Sequence, residues 1–321
     1  MRTSRSAGLL QVGRFAMSRM PRRVAVACAV AMVTTLTGCA DEQSDISFFV
    51  LVKSSNYSQD VKGELALLNY HFFSEIFLQP GGSLLEASLT RAEAGSDSEP
   101  MRYELQGDNY YMEGGHFDSV EEADAAYPNG EYSFDIRTPS VEISGVRLRL
   151  AGPTGETDIP APIEVSFWQG DERSDPTAID PFQALTVRWS PYSNGAADPR
   201  GIVDDMIFLV VADCQGERIF HTGLPFQGEY TTYRTTEMEI GTGVLQPGQP
   251  YSAFVEFPHV VDSQIEAGIP GFTSYATATY LDFFTSGPRA DEACPDAPPP
   301  MDTGQTDRMD RVEPGRSSNG G

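Results

Sequence analysis

The chain has 321 residues, with 46 acidic side chains against 22 basic ones and a formal charge of −24. A surface of that sign repels nucleic acid and anionic lipid headgroups, which excludes nucleic-acid binding and favours solubility and cation attraction. Four cysteines and four histidines leave little material for thiol or metal chemistry.

Residues 1–23 carry six arginines and no acid, residues 24–35 (VAVACAVAMVTT) are apolar or small, and Leu36, Thr37, Gly38 and Cys39 follow directly. This is the charged, apolar, small-residue order of an export signal. The apolar run is too short to cross a hydrocarbon core that needs ~20 residues, so no retained transmembrane anchor is expected. Leu36 to Cys39 resemble the lipobox of bacterial lipoprotein signal peptides. An ordinary secretory signal cut near Ala40 is the alternative. The lipobox resemblance implies a signal peptide over 1–38 and a mature chain beginning at Cys39 with a thioether-linked diacyl group, usually joined by a third chain on its amine. Several acyl chains make a stable membrane anchor. Translation is expected to start at Met17 or Met20. Sec export is expected, because Arg22 and Arg23 lack the flanking residues of a twin-arginine signal. Ala40 stands where some bacteria use Asp to retain lipoproteins at the inner membrane, so the outer membrane is the expected location. The signal takes six of the 22 bases and none of the 46 acids, leaving a mature charge of −30. Residues 39–44 form a short tether, which at ~3.3 Å per residue keeps the first strand within about 20 Å of the bilayer.

From 45 to 152 apolar and polar residues alternate with the period of half-buried strands. Examples are Leu85, Ala87 and Leu89; Met101, Tyr103 and Leu105; Tyr132, Phe134 and Ile136; and Val146, Leu148 and Leu150. Gly81 with Gly82, the stretch 107–109, and Asn129 with Gly130 break them. One short helix is predicted near 119–126: Asp118 or Ser119 can cap it, Glu121 and Glu122 sit in its first turn, and Pro128 ends it. The segment reads as a β-sandwich of no recognised family. A Pro- and Gly-rich linker over 153–162 precedes a second domain over 163–287. The tail 288–321 has almost no apolar residues and is expected to be disordered.

The second domain contains LTVRWSPY (185–192) and LQPGQPY (245–251). Together these resemble the fibronectin type III sandwich. The family's strand B tryptophan corresponds to Trp189, in phase with Leu185 and Val187. Its corner before strand F corresponds to Leu245, Pro247, Gly248 and Tyr251, where the tyrosine ring packs inward and its hydroxyl bonds nearby backbone. The resemblance implies strand C over 206–211, E over 237–240, F over 252–257 and G over 275–284, with Trp189, Leu245 and Tyr251 as core residues. The spacing from Trp189 to Tyr251 exceeds the family's, so enlarged loops or extra strands are expected near 192–204 and 222–236, as is a long F-to-G connection over 258–272. Strands C and G end at the same edge of such a sandwich, which agrees with a disulfide between Cys214 and Cys294, the two cysteines left once Cys28 departs and Cys39 is acylated.

The fold class expected is therefore all-β, two β-sandwich domains in tandem, the second fibronectin type III or immunoglobulin-like. No catalytic constellation is apparent: there is no G-x-S-x-G elbow, no H-E-x-x-H, no P-loop and no dinucleotide fingerprint. His71, His116, His221 and His259 show no paired spacing with cysteines, so no metal site is expected. No cofactor is expected either, calcium excepted. Asp171, Glu172 and Asp175, and Asp204 with Asp205, are the acid clusters that would attract it, but they read as solvated turns, and no EF-hand loop is present. Trp168 lies out of phase with inward Val165 and Phe167. Tyr110 and Tyr111 follow Asn109 at what reads as a loop or strand end. These three are the ligand-binding candidates, since outward aromatics near amides and acids suit sugar or peptide recognition; packing of Trp168 against the first domain is the competing reading. His259 is a further candidate in the F-to-G loop. The function expected is a non-enzymatic cell-envelope lipoprotein that binds, adheres or supports structure beside the membrane. Its partners are the membrane, through the lipid on Cys39, and an envelope protein or glycan. A carbohydrate-binding accessory lipoprotein and a glycan hydrolase with paired carboxylates are the alternatives.

Overall fold

A computed structural model describes residues 44–92 and 99–289. The expected signal peptide, Cys39 and its tether up to residue 43, Cys294 and the tail from 290 lie outside the described residues. Sixteen strands and one helix run in the order β1 (Ile46–Gln59), β2 (Leu65–Leu78), β3 (Glu86–Arg91), β4 (Met101–Arg102), β5 (Glu104–Gln106), β6 (Asn109–Phe117), α1 (Val120–Ala126), β7 (Gly130–Arg137), β8 (Glu142–Leu150), β9 (Val165–Gln169), β10 (Glu172–Arg173), β11 (Leu185–Trp189), β12 (Phe208–Ala212), β13 (Arg218–His221), β14 (Glu237–Ile240), β15 (Pro250–Glu266) and β16 (Ile269–Phe284). The fold is all-β, and α1 is the one helix among the described residues. Ser119 caps it by accepting from Glu122 N at 3.2 Å, while Glu122 Oε2 accepts from Asp118 N at 3.2 Å, a reciprocal cap that satisfies two otherwise orphaned amides.

One sheet of eight strands, ordered β13-β12-β15-β16-β1-β2-β6-β5, runs through both sequence halves. Two four-stranded sheets, β4-β3-β7-β8 and β10-β9-β11-β14, complete the set. The seam between the halves is a parallel pairing of β1 with β16, from Phe49↔Gly271 to Ser58↔Tyr280. Gly271 is needed there: a Cβ on it would lie 2.2 Å from the Phe49 ring. The linker residues 153–162 therefore join two sandwiches that share a sheet. Both smaller sheets face the same side of it, as the alternation of β16 shows: Ile269 and Tyr275 enter one core with Phe49, Phe72, Phe134 and Leu148, and Leu281 and Phe283 enter the other with Val187, Trp189 and Tyr251.

The second core holds Trp189, Leu245 and Tyr251, with Leu185 and Val187 fully buried. Tyr251 Oη accepts from Gln246 N at 2.7 Å, and the indole of Trp189 donates to Thr235 O at 3.0 Å. Here β9, β11 and β14 form one sheet, and β12, β15 and β16 lie side by side in the other, an arrangement consistent with the fibronectin-like sandwich implied by the two motifs. Cys214, just past β12, is buried.

Three expectations change. The long F-to-G loop is a hairpin: β15 and β16 stay paired from Pro250↔Phe284 to Glu266↔Ile269, closed by Ala267 and Gly268, both at positive φ, the geometry whose twist matches the flanking strands. Pro258 does not end the strand, because β12 pairs with β15 only between Phe208↔Glu256 and Ala212↔Ser252; beyond it that edge needs no N–H donor. Leu85 and Leu105 are exposed, with Leu84 rather than Leu85 entering the core, since β3 begins only at Glu86 and β5 is an edge strand. The enlarged loops have a structural purpose. Val203, Met206, Leu224, Phe226 and Tyr230 cover Phe48, Val50, Phe73, Phe77 and Phe272 on the reverse face of the long sheet.

Candidate functional site

Trp168 sits on β9, half-buried and outside the apolar cores. Its register partner across the sheet is Thr186, with Phe167 opposite Val187 in the core phase, so alternation turns the indole to the solvent face of the small sheet. The Arg188 guanidinium lies 4.3 Å from the ring centroid and its Nε donates to Glu237 at 2.7 Å. The indole N–H donates to Ser166 Oγ at 3.0 Å. An aromatic ring, a guanidinium and a carboxylate thus share one open strip. The cation stiffens the ring and occupies part of it.

The two tyrosines are not a surface pair. Both belong to β6, where they alternate across the long sheet: Tyr110 packs against the first core, and Tyr111 is buried on the reverse face, 5.4 Å from the ring of Phe73. Gly107 and Asp108 form the turn, and β6 begins at Asn109, so the tyrosines stand at a strand end rather than in a loop. Only the start of β6 is covered on both faces, by the first core on one side and by Phe73 on the other, and a stretch covered on both sides shows no alternation.

His259 lies in β15 and not in a loop. Its Nδ1 is 2.8 Å from Asp205 Oδ2 and its Nε2 is 3.6 Å from Asp158. The hydrogen bond that the imidazole donates to the Asp205 carboxylate holds it above its ordinary pKa, against a smaller opposing effect of burial, and the charges of Asp205 and Asp158 add to it. Asp205, expected on a solvated turn, is buried: it also accepts from Val260 N at 2.7 Å and Ala196 N at 2.9 Å. Asp198 accepts from Ile202 N, Val203 N and Ser263 Oγ, and Arg200 pairs with Asp262. Asp198, Arg200, Asp205, His259 and Asp262 line a cleft of about 420 Å³ that also contains Arg149 and Gly152. A carboxylate stands on each side of the imidazole where a nucleophilic pair would need a hydroxyl or thiol. The geometry is a clamp that ties the 196–205 loop to β15.

Asp175 accepts from its neighbour Thr177, and Asp204 accepts from Asp198 N and Arg234; both act as loop ties. Sequence spacing missed a further group: His71, Glu113 and His116, whose ligand atoms lie within 4.8 Å of one another on the reverse face of the long sheet. The Glu-Gly-Gly-His run at 113–116 was the available signal, legible only with the β2–β6 register known.

Fold and site together define an all-β protein of two sandwiches on a shared sheet, carrying polar clusters on its surfaces. No family model matches the chain, and no curated protein matches it. Among solved structures it is similar to a biofilm associated protein's BSP domain, at 11% identity and a TM-score of 0.18 over 76% of this chain and 30% of that one. It is also similar to the FN1–FN3 domains of chicken CNTN1, at 11% identity and a TM-score of 0.15 over 66% of this chain and 61% of that one. Likeness at this level carries no argument about activity or partner.

Proposed function

We propose that the chain is a lipid-anchored, non-enzymatic binding module of the cell envelope, held at the outer membrane through acylated Cys39. The observation that carries the anchor is Leu36-Thr-Gly-Cys39 directly after an arginine-flanked apolar run. What supports a binding rather than a catalytic role is the use of polar side chains: the Asp205–His259 pair and its neighbours are engaged in holding a loop. A disulfide from buried Cys214 to Cys294 belongs to this proposal. Incorporation of labelled fatty acid into the wild-type chain, and its loss together with membrane association in Cys39→Ser, is the expected outcome. Membrane association that survives Cys39→Ser without label would refute the anchor.

A second reading, carbohydrate recognition, is favoured by the outward Trp168 ring beside Arg188 and Glu237. Binding on a glycan array that falls at least tenfold in Trp168→Ala supports it; equal binding by the two proteins refutes it.

A further inference from the structure

His71 on β2 and His116 on β6 are direct register partners. Their rings stack with centroids 4.2 Å apart and planes 6° apart. Glu113 Oε1 lies 2.8 Å from His71 Nε2, and the nearest ligand atoms of all three residues fall within 4.8 Å of one another. In an unbroken strand, residues three apart point to opposite faces. Here the register steps from Phe72↔Gly115 to Phe73↔Glu113, so Gly114 is an extra, bulged residue and Glu113 and His116 emerge on the same face. Such bulges re-aim side chains.

The bulge has its own sequence requirements. A Cβ on Gly114 would lie 2.5 Å from the Phe72 ring and 2.6 Å from Phe72 O, and Gly115 has a φ of +111°. Gly115 N donates back to Glu113 at 2.7 Å, fixing the carboxylate beside the imidazoles. The His71 side chain is fully buried, and the ring nitrogen it turns toward Glu113 is Nε2, which is therefore its ligating atom.

We propose that His71, Glu113 and His116 bind a divalent transition-metal ion of the zinc class. Two imidazoles and a carboxylate suit zinc, cobalt, nickel and copper, whereas calcium and magnesium take all-oxygen shells. Ligation at ~2.1 Å brings tetrahedral ligand atoms to about 3.4 Å of one another. The buried His71 is the fixed member. Glu113 and His116 are exposed and close by roughly an ångström, with His116 turning out of the ring stack. Three protein ligands leave the fourth position to solvent.

Titration of the full-length chain in detergent with zinc chloride, followed by calorimetry, tests the site. Cobalt absorption spectra identify the donor atoms. One equivalent of zinc is expected, with a cobalt spectrum free of thiolate charge transfer, which separates this site from the cysteines. Affinity should fall by about 100-fold in His116→Ala and in Glu113→Gln, and remain unchanged in His221→Ala. His116 and Glu113 are exposed, so circular dichroism should show both variants folded; His71 is left intact because it is part of the packed sheet. Absence of stoichiometric binding, a thiolate-type cobalt spectrum, or full affinity in folded His116→Ala would each overturn the proposal.

Discussion

Lys53 shows how a charge is accommodated inside an all-β core. Its ammonium is fully buried and contacts Asp124 at 2.5 Å, Tyr127 O at 2.8 Å and Asn129 Oδ1 at 3.0 Å. Burial lowers its pKa, and Asp124 opposes that shift. An ammonium left without its counter-ion is the costly state, so Asp124→Ala should destabilise the fold by about 3 kcal/mol in urea titrations, whereas exposed pairs such as Arg147–Glu131 should contribute under 1 kcal/mol. His259 provides the pH dependence. Its folded-state pKa is raised above an ordinary value of 6.5. The stability it contributes is therefore fully present below 6.5 and is lost as pH rises through the raised folded value. Denaturation midpoints measured from pH 6 to 9 should fall across that window in the wild type, and the fall should disappear in His259→Gln. Carboxylates whose pKa values are lowered, such as Asp198 and Glu113, titrate in the acid range and do not contribute there.

At the scale of elements, β16 holds the architecture together. On its inner face Thr273, Tyr275, Thr277 and Thr279 interrupt the apolar phase between the two cores, and their hydroxyls donate to Arg149 O at 2.7 Å, Asn129 Oδ1 at 2.8 Å, Pro160 O and Ile163 O at 2.8 Å. The linker and its exit thus lie along a row of hydroxyls, which supplies donors to Glu156 O, Pro160 O and Ile163 O, backbone outside any strand. Gln59 reinforces its end by bonding both N and O of Val165. Replacing Thr277 or Thr279 by Val keeps the volume and leaves a buried carbonyl unmet. Each should cost about 1–3 kcal/mol in chemical denaturation, and the pair should add, since each hydroxyl serves a different carbonyl. Equal stability of both valine variants and the wild type would show that the row has no energetic role.

For the whole molecule, the parallel seam of β1 and β16 means that neither sandwich has a complete sheet of its own. The apolar loops over 202–207 and 222–230 bridge the seam, because Val203 and Met206 from the second half cover Phe48 and Phe73 from the first. A tandem of independent domains would unfold in two steps. Here one cooperative calorimetric transition is expected for residues 44–289, with equal calorimetric and van't Hoff enthalpies. Two resolved transitions would contradict the energetic reading of the shared sheet.

The sequence by itself determined the class of the fold and its local rules. Period-two alternation marked one-sided strands such as β7 and β8, the Ser119 cap and Pro128 bounded α1, and the Trp189 and Tyr251 motifs located the second core. The outward phase of Trp168 was legible because a half-buried sheet keeps strict alternation. Tertiary structure alone decided the rest. Strands buried on both faces, β1, β15 and β16, carry no alternation to read, so the hairpin and the shared sheet were hidden. The clusters His259–Asp205–Asp158 and His71–Glu113–His116 are made by pairings between residues tens of positions apart, and in the second case by a one-residue bulge. Local sequence records what each segment can do. Register decides which side chains meet, and long-range pairing sets the register.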